Sequence, residues 1–139
     1  YLEAFWIKRG SQADNIILES NIYKITPILH LKKYFLLGFG AEFVLTFRDM
    51  LVSKFGKSSF NLFVDCGFDQ SLTISMAVNK ISYLKLNANS IILSKINNIA
   101  KKNRVLLNPS FNIVDCRNRK NINLKLKKLY SKEKNENWW

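Results

Sequence analysis

Apolar and polar positions along this chain switch repeatedly between a two-residue and a near-four-residue period, and each switch predicts an element. Residues 41–55, AEFVLTFRDMLVSKF, place Phe43, Phe47, Met50 and Leu51 on one side of a helix, with Val44 and Phe55 beside them, and Gly56 ends it. The run 60-FNLFVDC-66 is mostly apolar, as a strand covered on both faces of a parallel sheet tends to be. Beyond Gly67 the helical period returns over 70–81, through Leu72, Met76 and Val78 to Ile81. A short strand over 82–87 follows. The clearest helix is 89–103: Asn89 or Ser90 caps it, Ile92, Ile96 and Ile99 face inward, and Lys101 and Lys102 sit on its negative end.

The remaining segments carry weaker patterns. Ser11 to Glu19 reads as a helix capped by Ser11, with Asp14 three residues on. The β-branched stretch 22–31 reads as a strand, although Pro27 inside it removes a ladder hydrogen bond and sets a limit near Thr26 or splits it in two. Two further short segments, 104–108 and 111–116, flank Pro109. Residues 1–10 are too short and mixed to assign.

Strand and helix therefore alternate at the spacing a parallel sheet with crossover helices requires. The expected fold is α/β: a small, mostly parallel sheet of Rossmann-like or flavodoxin-like type, with half of a β/α barrel as the structural alternative. A single domain over 11–116 is expected, with 1–10 as an N-terminal segment and 117–139 as a basic C-terminal tail. The leucines at 124, 126 and 129 give that tail only weak amphipathic spacing. A chain of 139 residues, 47% hydrophobic, is long enough for one domain with a real core.

Charge changes the picture less than its size suggests. The net charge is +12 and the pI about 9.9, values that point to nucleic acid or an anionic surface. Yet Lys (17), Asn (16) and Ile (14) make up about a third of the chain, the profile of an AT-rich genome, and only 5 residues are Arg, the better phosphate reader. Nucleic acid is thus a possible partner but not the favoured one. The longest apolar run, residues 34–47, is broken by Glu42 and is shorter than a spanning helix of about 20 residues, so no membrane is expected. Two cysteines without a secretory signature fit a reducing cytoplasm. The chain begins at Tyr1, so a removed targeting segment is not excluded.

In an open parallel sheet, ligands bind beyond the carboxyl ends of the strands. That rule selects His30 and Lys32, then Asp65, Cys66, Gly67 and Asp69, then Asn87 and Asn89, then Asn108. At the second position Gly67 permits a tight turn and the following helix offers free N–H groups, but two carboxylates oppose an anion there. Asp69 as a helix cap and Asp65 as a turn acceptor explain both acids without a ligand. Cys66 near a helix N-terminus is a candidate nucleophile whose sole possible histidine partner is His30, and a small buried residue is the plainer reading. Val-Asp-Cys recurs at 64–66 and 114–116, each time after a Phe-Asn; the flanking sequence shows no further match, and the recurrence reads as chance. No metal-ligand spacing is present, so no metal is expected. Gly38-Phe39-Gly40 lacks the third glycine of a dinucleotide loop, and no cofactor is expected.

A strand ending in Asp65-Cys66-Gly67, an Asp two residues on, a helix, a short strand, a second helix and then Asn108-Pro109 with Val114-Asp115 resemble a family of short, uncharacterised bacterial α/β proteins. The likeness covers about residues 15–116; where those members carry Pro-Gly after the Asp, this chain has Gln70-Ser71. The resemblance implies an α/β fold and brings no known activity with it. The expected role is binding of a small ligand or protein partner at the strand carboxyl ends, with an RNA- or ribosome-associated basic protein as the alternative.

Overall fold

The computed structural model describes residues 3–8, 10–32, 40–117 and 124–130. The chain order is β1 (Glu3–Trp6), α1 (Gly10–Ile22), β2 (Ile28–Leu31), α2 (Gly40–Phe55), β3 (Asn61–Asp65), α3 (Gln70–Val78), β4 (Tyr83–Lys85), α4 (Ser90–Lys102), β5 (Leu106–Leu107) and β6 (Asn112–Asp115), followed by a helix over 124–130, α5. All strands are parallel, in one six-stranded sheet ordered β5-β4-β3-β2-β1-β6. The α/β expectation therefore holds.

Strands β1 to β5 follow one another across the sheet without reversal. A Rossmann-like or flavodoxin-like sheet changes direction after its first few strands; the succession seen here is that of a β/α barrel. Right-handed crossovers then put successive helices on one face. The packing agrees. Phe5, Leu29, Leu31, Leu62, Val64 and Leu84 face the helices and join Ile16, Ile17, Val44, Leu51, Met76 and Ala100 in the main core. The intervening residues Ala4, Ile28 and Phe63 face the other way and form a second cluster with Tyr83 and Phe111 that contains no helix residue.

The second cluster shows that the sheet is curled. Phe111 immediately precedes β6, at one edge, yet its ring lies 5.4 Å from Phe63 in β3 and 4.9 Å from Tyr83 in β4. In a flat sheet those strands would stand roughly 14–19 Å from β6. The link from β5 to β6 says the same. Five Cα–Cα steps join Leu107 to Asn112, a reach of about 18 Å, whereas the two edges of a flat six-stranded sheet lie about 24 Å apart. The inner cluster fills the concave side, as side chains fill small β/α barrels.

Three expectations are corrected. Residues 3–6, placed outside the domain, form strand β1, paired on both sides with β2 and β6. The proposed strand over 22–31 shrinks to Ile28–Leu31, because α1 runs on to Ile22 and β2 starts only after Pro27. Nor does Ser11 cap α1; it lies inside a helix that begins at Gly10, and Asp14 instead pairs with Lys54 at 3.2 Å. In the tail, Leu126 and Tyr130 of α5 are buried in the main core, and the Tyr130 and Ser20 hydroxyls share a 2.6 Å hydrogen bond. Trp138 and Trp139 lie outside the described residues, as does Gly38 of the glycine pair.

Candidate functional site

Partners in a parallel ladder point to the same face, so the register identifies what lines the concave side at the strand carboxyl ends. Trp6 stands opposite both His30 and Asp115, His30 opposite Phe63, and Asp65 opposite Lys85. Two residues further along their chains, Lys32 and Arg117 continue the same alternation. Both reach Trp6: the Lys32 ammonium lies 3.8 Å and the Arg117 guanidinium 3.3 Å from the ring centroid. Arg117 is fixed there by Asp115, through contacts of 3.0 and 2.7 Å. One end of the concave face thus gathers an indole, three cations, two carboxylates and an imidazole.

His30 is almost fully buried at this end. Its ring centroid lies 4.4 Å from that of Phe63, the two planes tilted by 36°, and Nδ1 donates to the Phe63 carbonyl at 3.0 Å, which leaves Nε2 as the acceptor. Burial holds its pKa down at about 4; the bond to Phe63 and the charge of Asp65 oppose this, while Lys32 and Lys85 reinforce it. The ring is neutral at physiological pH.

The Asp65 side chain turns back on the backbone: Oδ1 accepts from Gly67 N–H at 2.9 Å, and Gly67 adopts φ +60°, the conformation its lack of a Cβ allows. Asp69 caps α3 by accepting from Leu72 N–H at 2.9 Å. Both acids do what turn and cap chemistry require. Asn87 is exposed, and its N–H donates to the Gly67 carbonyl at 2.7 Å, bracing the β3 turn against the end of β4. Asn89 caps α4 by accepting from Ile92 N–H. Asn108 spends its side chain on β4: Oδ1 accepts from Leu86 N–H at 2.8 Å and Nδ2 donates to the Leu86 carbonyl at 3.1 Å.

Cys66 lies on the other side of the sheet. It follows Val64 in the outward alternation, is fully buried and belongs to the core beneath the helices. Burial pushes its thiol up to about 11, assisted by Asp65 and Asp69 and opposed by the Thr73 hydroxyl. The Cys66–His30 pair is therefore broken twice, by opposite faces and by a thiol that stays protonated. Cys116 is likewise buried. Among the described residues no group of three or more His, Cys, Asp and Glu side chains is arranged to hold a metal ion, and no helix is long and apolar enough to cross a membrane.

Of the residues selected from sequence, His30, Lys32 and Asp65 meet at this end of the concave face. Asn87 and Asn108 stand nearby as backbone braces, and Cys66 is excluded from it. Trp6, Lys85, Asp115 and Arg117 were not selected. Lys85 and Asp115 sit on strand ends where a period-two reading signals an unburied face, but Trp6 and Arg117 fell in segments read as peripheral.

No protein-family model and no curated protein matches this chain. Among solved structures it is similar to a protein from Coccidioides immitis named as a fructose-1,6-biphosphate aldolase, with a TM-score of 0.56 at 10% identity. The match covers 76% of this chain and 44% of that one, so this chain spans less than half of its length. At that identity the likeness speaks for the fold alone, and it agrees with the barrel-like strand order.

Proposed function

We propose that the carboxyl end of the concave face binds a small anionic ligand, a carboxylate or a phosphate ester. The observation that carries this reading is the convergence of Lys32 and Arg117 on the Trp6 ring, with Lys85 alongside. Two cations converge on one ring, and Asp115 pairs with one of them, Arg117. Among the described residues, Lys32, Lys85 and Asp65 make no ion pair. An anion bridging the cations would relieve their mutual repulsion, and neutral His30 supplies an orienting contact rather than a further charge. Location supports the reading too, since this is the end at which barrel-like α/β proteins carry their sites. Two cysteines without a secretory signature favour the reducing cytoplasm as its setting.

Isothermal titration calorimetry against a panel of phosphate monoesters and dicarboxylates tests it. At least one class should bind, and Lys32→Gln and Lys85→Gln should each weaken binding by roughly tenfold, the worth of one charge-assisted contact. Absence of binding across the panel, or affinities that ignore both substitutions, would sink the reading. Tight binding of a generic RNA that survives physiological salt would instead favour the basic protein's nucleic-acid alternative.

A further inference from the structure

A cavity of about 380 Å³ opens at the opposite end of the sheet, between α2 and the turn that joins α3 to β4. It shares no residue with the cation cluster. Strand β3 separates the two, with Asn61 lining the cavity and Asp65 at the far end, a run of roughly 13 Å. Its volume falls within the range of about 300–1,000 Å³ typical of small-molecule sites.

The lining has two characters. Val52, Phe60 and Ile81 give an apolar wall, while Arg48, Lys57 and Lys80 bring three positive charges to the rim. One acid, Asp49, opposes them; it is mostly exposed and already paired with Arg48 at 3.2 Å. Arg48 is held in place from both sides. Its Nε donates to Asp49 and its Nη1 donates to the Asn79 carbonyl at 2.6 Å, so the half-buried guanidinium is positioned before any ligand arrives. Lys57 and Lys80 are exposed, and among the described residues neither forms an ion pair. A bare anion would satisfy the cations and leave the apolar wall wet. A neutral hydrophobe would cover the wall and leave the cations unused.

We propose that this cavity is a second ligand site, taking a compact anion with an apolar body, of the aryl phosphate or aryl carboxylate kind. Arg48 orients the head group, Lys57 and Lys80 neutralise it, and the body lies against Phe60 and Ile81. The proposal does not depend on the site at the other end.

The test is two-dimensional amide NMR on the full chain, titrated with phenyl phosphate and, separately, with inorganic phosphate and with phenol. Phenyl phosphate should shift the amides of residues 79–82 and of Lys57, saturating near about 1 mM, a modest affinity suited to one ring and one head group. The double variant Lys57→Gln, Lys80→Gln alters only exposed side chains, so it should keep the native spectrum and bind roughly tenfold more weakly. Phenyl phosphate shifts confined to Trp6, Lys85 and Arg117 would overturn the proposal. So would equal shifts from inorganic phosphate, which would mark an adventitious ion only, or no shifts in residues 79–82 at about 10 mM.

Discussion

Protonation of His30 should destabilise this fold as the pH falls below 6.5, the ordinary value of a histidine. In the native state burial between β2 and β3 lowers the imidazole pKa from 6.5 to about 4, against the smaller opposing effects of the Phe63 carbonyl and Asp65. In the unfolded chain the ring titrates near its ordinary value of about 6.5. Between those two values the unfolded state binds more protons than the folded one. Stability is therefore fully present above about pH 6.5, falls as pH drops below it, and reaches its floor below about pH 4. The ring is only 2% exposed, so solvent screening takes little away. The loss is on the order of 3 kcal/mol when complete and about 2 kcal/mol at pH 5, a large part of the 5–15 kcal/mol that is usual for a domain.

Urea unfolding at about pH 7.5 and about pH 5 measures the difference. His30→Asn supplies the control, because its amide can still donate to the Phe63 carbonyl but does not titrate. It should start less stable than the wild type, from loss of the ring packed on Phe63, and lose much less between the two pH values. The chain has a single histidine, so its imidazole resonance needs no assignment and reports the native pKa directly. A resonance titrating near 6.5 in the folded protein, or equal losses in both proteins, would refute the reasoning.

Two further outcomes follow from the packing. Leu126→Ala should cost about 2–4 kcal/mol in urea unfolding, and removal of residues 117–139 should abolish the cooperative transition, since Leu126 and Tyr130 are core residues; a truncated chain as stable as the full one would contradict this. Cys66 and Cys116 should resist a thiol reagent such as dithionitrobenzoate in the native protein and react once urea unfolds it, whereas rapid native labelling of Cys66 would show that burial does not control its thiol.

Where an element's signal was local, it could be read from the chain. Helix α4 announces itself through the Asn89 cap and the lysines of its last turn, and β3 through an apolar run that needs no alternation because both its faces are covered. Signals failed where the deciding contact was distant. Residues 3–6 form a strand only because β2 and β6 flank them, and four residues cannot declare a period. Ile22 to Thr26 alternates like a strand, but α1 is already formed and continues through Ile22. The tail looked weakly amphipathic because its leucines were read alone. Adding Tyr130 to Leu126 and Leu129 completes a face at helical spacing, and that face is the one that docks.

The site shows the same limit in another form. Val-Asp-Cys occurs twice, and both copies perform one task. Asp65 accepts from Gly67 N–H and Asp115 from Arg117 N–H, each two residues on, while Cys66 and Cys116 are buried in the core beneath the helices. At both strand ends a polar acceptor on the concave side holds the turn, and a small apolar residue follows on the convex side under a helix. Duplication is not needed to produce the repeat, and a catalytic thiol is not implied by it. The alternation that makes Asp65 available to the concave face is what denies that face to Cys66. Among the described residues, the side chains brought to that end are those of Trp6, His30, Lys32, Lys85 and Arg117 with the two aspartates, and it is on this set that the proposed anion site rests.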